Sequence, residues 1–93
     1  MEQWQLNPEC RLHWRCWDGE CILFNAASGQ THLLNRVGSA ALRLLEQGPH
    51  TELELQQQLA RELDLMIDDE VCAYIKTMMV NMDDLGLIEP RIL

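Results

Sequence analysis

Asp18-Gly19 constrains this chain more tightly than any other pair of residues. Both central positions of a type I′ turn need positive φ, and Asp-Gly is among the few pairs that supply it cheaply. The residues on either side alternate as strands do. Arg11-Leu12-His13-Trp14-Arg15-Cys16-Trp17 runs into the turn, and Glu20-Cys21-Ile22-Leu23-Phe24 runs out of it. With a two-residue loop, Trp17 pairs with Glu20, and Cys16 stands opposite Cys21. Asn25-Ala26-Ala27-Ser28-Gly29 is a second turn, and Gln30-Thr31-His32-Leu33-Leu34 a third strand. The first third of the chain is therefore expected to form an antiparallel meander. Trp4 to Leu6 is expected to add a short strand before Pro8.

The remainder reads as helices. Asn35 is an N-cap for a helix whose stripe is Val37, Ala40, Ala41, Leu44 and Leu45, ended by Gly48-Pro49. Thr51 and Glu54 have capping-box spacing, ahead of Leu55, Leu59 and Leu63. Asp68 caps a third helix striped with Val71, Ile75, Met78, Met82 and Leu85, with Gly86 at its end. Leu87-Ile88 is expected to lie back on the core or sheet. Strands then helices predict an α+β domain across the chain of 93 residues. The strands fall over 11–17, 20–25 and 30–34, and the helices over 36–47, 52–64 and 69–85.

Charge excludes some functions. Seven Lys and Arg stand against fifteen Asp and Glu, a formal net charge of −8. Such a surface repels phosphate backbones. The second and third helices resemble a helix-turn-helix, but the third opens Asp68-Asp69-Glu70 and closes near Asp83-Asp84, with Lys76 as its one base. No nucleic-acid partner is expected, and an acidic winged-helix DNA-binding regulator or a protein-interaction module is the rival reading. No apolar run is long enough to span a bilayer. The first residues lack the pattern of a secretory signal, so a cytoplasmic setting is expected.

Several residues look reactive. Cys10-x-x-His13-x-x-Cys16, with Cys21, suggests a zinc site. In a strand, however, residues three apart lie roughly 10 Å from each other and point to opposite faces. Zinc needs its ligands together, so no metal is expected. Cys16 and Cys21 are expected to be reduced thiols filling one face, with a cross-strand disulfide as the alternative. Ser28 and His32 are explained by turn and strand chemistry. No G-x-S-x-G, H-E-x-x-H, P-loop or G-x-G-x-x-G fingerprint is present. Neither catalysis nor a cofactor is expected. Met78, Met79 and Met82, with Met66 before them, make the third helix apolar beyond a single stripe, which suits a second packing partner or a peptide groove.

The order of the pieces carries a resemblance. Trp17-Asp18-Gly19, Ile22-Leu23-Phe24-Asn25, Ser28-Gly29, Thr31-His32-Leu33-Leu34-Asn35, a helix with Ala40-Ala41 and Leu44-Leu45, and Asp83-Asp84-Leu85-Gly86-Leu87-Ile88-Glu89 together resemble the PqqD-like family. Within it, the chain is most similar to the PqqD-related proteins of the HPr-related system. The resemblance implies a winged-helix-like domain with three strands and three helices. It also implies a peptide chaperone, or recognition element, for ribosomally made and post-translationally modified peptides. Such a protein binds the leader of a precursor peptide and presents the peptide to a modifying enzyme, here one related to HPr kinase. The leader would add as a strand along Gln30, Thr31, His32, Leu33 and Leu34. The groove wall would come from Val71, Tyr74, Ile75, Met78 and Met79. The quinone-cofactor pathway of the founding family is not carried over.

Overall fold

A computed structural model describes residues 2–92. Five strands and three helices follow one another: β1 (Glu2–Leu6), β2 (Leu12–Trp17), β3 (Glu20–Asn25), β4 (Gln30–Leu34), α1 (Arg36–Gln47), α2 (Glu52–Leu63), α3 (Asp69–Asp84) and β5 (Ile88–Ile92). The α+β class read from the sequence is the observed one, with an antiparallel sheet ordered β2-β3-β4 followed by three helices.

Asp18 and Gly19 both adopt positive φ, 52° and 83°, and the hairpin closes on the pair Trp17–Glu20. That register sets which side chains go inward. Cys21, Leu23 and Asn25 of β3 are buried, while between them Ile22 is half-buried and Phe24 exposed. Leu34 continues the inner face on β4, and Leu12 and Trp14 do so on β2. Beneath this face lies α1, with Ala41, Leu42, Leu44 and Leu45 all buried. It touches β1, β3, β4 and α2, and so forms the centre of the fold. Its breadth of burial explains why Leu42 joins the core beside the expected Leu44 and Leu45.

Each helix begins on a side-chain cap. Asn35 accepts from the N–H of Gly38, Thr51 and Glu54 form the reciprocal capping box, and Asp68 accepts from the N–H of Val71. The bond from the Thr51 backbone N–H holds the Glu54 carboxyl below the usual carboxylate range. Asp64 ends α2 in the left-handed region.

Two findings depart from the sequence reading. The N-terminal strand is longer than Trp4 to Leu6 and does not join the three-stranded sheet. It pairs antiparallel with β5, from Glu2–Ile92 to Leu6–Ile88, in a second sheet. The tail beginning at Leu87-Ile88 is thus a strand, despite Pro90. Proline lacks an N–H to donate, but a two-stranded sheet has only edge strands, where that loss is tolerated. Secondly, Cys16 and Cys21 are joined as a disulfide instead of standing as free thiols. They are direct partners across the hairpin, with Cα atoms 4.1 Å apart.

One buried polar residue ties the turns together. Asn25 is 5% exposed, and its Oδ1 accepts from the N–H groups of Arg11 and Ala27, each at 3.1 Å. Its Nδ2 donates to the Cys10 sulfur at 3.4 Å, and that thiol faces the Gly86 carbonyl. Burial pushes the Cys10 thiol above its ordinary range. Asn25→Ala strands two N–H donors, a loss of about 1–3 kcal/mol. We expect a melting temperature lower by roughly 4–8 °C for each of those kcal/mol in calorimetry. Asn25→Asp, which keeps the acceptor, should lose less.

Candidate functional site

Among the described residues, the sheet ends at β4, which is paired on one side only. Which of its backbone groups face the open side follows from the register. Pairs in an antiparallel ladder alternate between hydrogen-bonded and non-hydrogen-bonded. The pair closing the two-residue turn, Trp17–Glu20, is of the first kind, so Cys16–Cys21 is of the second, as its short Cα separation also indicates. The backbone groups of Cys21 therefore turn toward its other partner, Leu34, and those of Leu23 toward His32. Leu33 and Thr31 are left to direct their N–H and C=O groups at the open edge.

Beside that edge is a groove of about 240 Å3 between the end of β4, the start of α1 and the length of α3. Leu33, Leu34, Asn35 and Gly38 line one side. On the other, Tyr74, Met78, Asn81 and Leu85 recur at the i, i+4, i+7, i+11 spacing of a single helix face, with Thr77 and Met82 beside them. Asn35 spans the groove: its Nδ2 donates to the Tyr74 hydroxyl at 2.7 Å, while its Oδ1 caps α1 by accepting from Gly38 at 2.8 Å. Gly38 forms floor as well as helix. A Cβ there would come within 3.4 Å of the Met82 methyl and 3.3 Å of the Asn35 oxygen.

The residues singled out from the sequence divide between this groove and the core. Leu33, Leu34, Tyr74 and Met78 line it. Gln30 and Thr31 are exposed on the same strand. Leu33 is 71% exposed, on the outer sheet face opposite Ile22. His32 turns inward beside Leu23, and its Nε2 is buried with no hydrogen-bond partner among the described residues. Val71 is half-buried against the core. Ile75 and Met79 are at 0% exposure, among the largest fully buried side chains. They were expected on the groove wall and instead lie in the core. The buried set Ile75, Met79 and Met82 is rotated toward Met79 relative to the stripe read from the sequence. That rotation carries Tyr74, Asn81 and Leu85 to the groove.

Asn81, Thr77, Asn35 and Gly38 were not singled out as site residues. For Asn81 and Leu85, the signal lay in their spacing from Tyr74 and Met78. Asn35 was visible only as a cap.

Among the described residues, no group of three or more His, Cys, Asp or Glu could hold a metal ion, and no helix is long and apolar enough to cross a membrane. Asn35→Ala removes both the cap and the span to Tyr74, whereas Tyr74→Phe removes only the span. We expect the first to cost about 0.5–2 kcal/mol, read as a lowered melting temperature, and the second to cost less.

No match was found among curated proteins, and none among solved structures. The family described as coenzyme PQQ synthesis protein D matches residues 20–88, from the start of β3 to the start of β5. That span holds the open edge of β4 and both sides of the groove, and the chain belongs to the PqqD family.

Proposed function

We propose that this protein is a non-catalytic accessory that binds the leader of a ribosomally made precursor peptide by strand addition to β4. It thereby presents the peptide to a modifying enzyme. The observation that carries this reading is the conjunction of an unpaired strand edge with an apolar groove immediately beside it. An extended peptide gains affinity from backbone bonds to such an edge, and specificity from pockets that take alternate side chains. Here the edge offers the backbone groups of Thr31 and Leu33. The groove offers Leu33, Met78 and Leu85 as apolar contacts, and the Tyr74 hydroxyl and Asn81 as polar ones. Methionine adapts to varied apolar partners, which suits a wall meeting a peptide. Membership of the PqqD family supports a peptide and a modifying enzyme as partners. In the subgroup the sequence resembles, that enzyme is related to HPr kinase. The three strands and three helices suit a winged-helix-like arrangement, used here for peptide and not DNA.

The test is a titration with the short peptide encoded beside the gene, followed by fluorescence anisotropy of the labelled peptide. Leu33→Asp should weaken binding by at least about tenfold, because a carboxylate would stand at the mouth of the apolar groove. Its melting temperature should stay close to that of the parent, since Leu33 is largely exposed. Met78→Ala should weaken binding by a smaller factor. Unchanged affinity in Leu33→Asp would exclude the β4 groove. Salt-sensitive binding to duplex DNA at low ionic strength would favour the acidic winged-helix regulator instead.

A further inference from the structure

Away from the groove, at the turn end of the β2–β3 hairpin, the two cysteines of the disulfide are unequally placed. Cys16 is exposed and Cys21 is 2% exposed. Arg43 of α1 donates from Nη2 to the Cys16 sulfur at 3.0 Å. Its guanidinium is held there by stacking over the Trp14 ring, 4.8 Å from the centroid. A pocket of about 330 Å3 opens on the pair and is lined also by Arg36, Ala40 and Leu63. Two of the seven cationic Lys and Arg residues thus line it, and among the described residues no carboxylate does.

An exposed cysteine beside a fixed cation, with a buried partner cysteine, is an arrangement that suits thiol–disulfide exchange. A nearby guanidinium favours the thiolate, which is the nucleophile. The incoming group meets Cys16 first, because Cys21 is only 2% exposed, and this sets the order of events. From these features we propose that Cys16–Cys21 is a redox-exchangeable pair, with Cys16 the attacking and attacked sulfur and Cys21 the resolving one.

In the oxidising direction, the Cys16 thiolate attacks one sulfur of a small disulfide, RSSR. The S–S bond of that molecule breaks, RS⁻ leaves and takes a proton, and a mixed disulfide remains on Cys16. Cys21 then gives up its proton, and its thiolate attacks the Cys16 sulfur and expels the second RS⁻. Two protein thiols are oxidised, and RSSR is reduced to two RSH, with two electrons and two protons transferred. Reduction by a thiol runs the same steps backwards. The site is independent of peptide docking at β4, since it uses neither the groove nor the open edge.

Dithiothreitol and glutathione disulfide are the probes. In the native protein, dithiothreitol should open the disulfide while the circular dichroism spectrum stays folded. Peptide mass spectrometry after alkylation should then find Cys16 labelled ahead of Cys21. Glutathione disulfide should re-form the pair, and in Cys21→Ser it should leave a stable glutathione adduct on Cys16. Arg43→Ala should slow re-oxidation several-fold, and Arg43→Lys, which keeps the charge, should restore most of the rate. Reduction only after unfolding, an adduct on Cys21 in Cys16→Ser but none on Cys16 in Cys21→Ser, or equal rates with and without Arg43 would each overturn the proposal. The lysine variant separates a charge effect from loss of the Trp14 stack.

Discussion

The hairpin register at Asp18-Gly19 governs the rest of the structure. Positive φ at both residues allows a two-residue turn, and that turn fixes Trp17 opposite Glu20. Because side chains alternate with a period of two, a slip by one residue would send Leu23 to solvent and Phe24 to the core. The same register brings Cys16 against Cys21 and Cys21 against Leu34. It then dictates, two strands away, which β4 backbone groups face the open edge. A turn on one side of the sheet thus decides what the opposite edge can offer a partner.

The second determinant is how α3 divides its apolar surface. Ile75, Met79 and Met82 go to the core, where Leu55, Leu59 and Leu87 are also buried. Tyr74, Met78, Asn81 and Leu85 look into the groove. The helix can serve both because its core face is narrow, and α1 supplies most of the burial under the three-stranded sheet. The gap between β4 and α3 persists as a groove, bridged at one place by Asn35 and Tyr74. Unsatisfied edge groups and an apolar trough, side by side, make a surface that an extended peptide could complete.

Much of the architecture was legible in the sequence because strong local signals agreed. Asp18-Gly19, the Thr51–Glu54 box, and caps at Asn35 and Asp68 each mark a boundary by a physical requirement the structure meets. Legibility failed where the decision was tertiary. The tail after Leu87-Ile88 was read only as lying back on the core or sheet; its strand depends on β1, a partner distant in sequence. On α3 the apolar residues cover more than one face, and the resemblance put Ile75 and Met79 on the groove wall, whereas both are buried in the core. Their neighbours in the core, not their own sequence, fix the rotation. Redox setting misled the reading of Cys16 and Cys21, although their opposition across the hairpin was plain from the loop length. The edge of β4 was readable as a strand, but the outward direction of Thr31 and Leu33 needed the pairing of all three strands.

The central claim is that the open edge of β4 takes up a peptide strand, and amide hydrogen exchange resolved by residue tests it most directly. In the free protein the N–H groups of Thr31 and Leu33 should exchange fast, and those of His32 and Leu34, paired with β3, slowly. Saturation with the precursor peptide should slow Thr31 and Leu33 by the protection typical of a ladder bond and leave His32 and Leu34 nearly unchanged. Protection that falls on other elements while Thr31 and Leu33 continue to exchange freely would contradict the account.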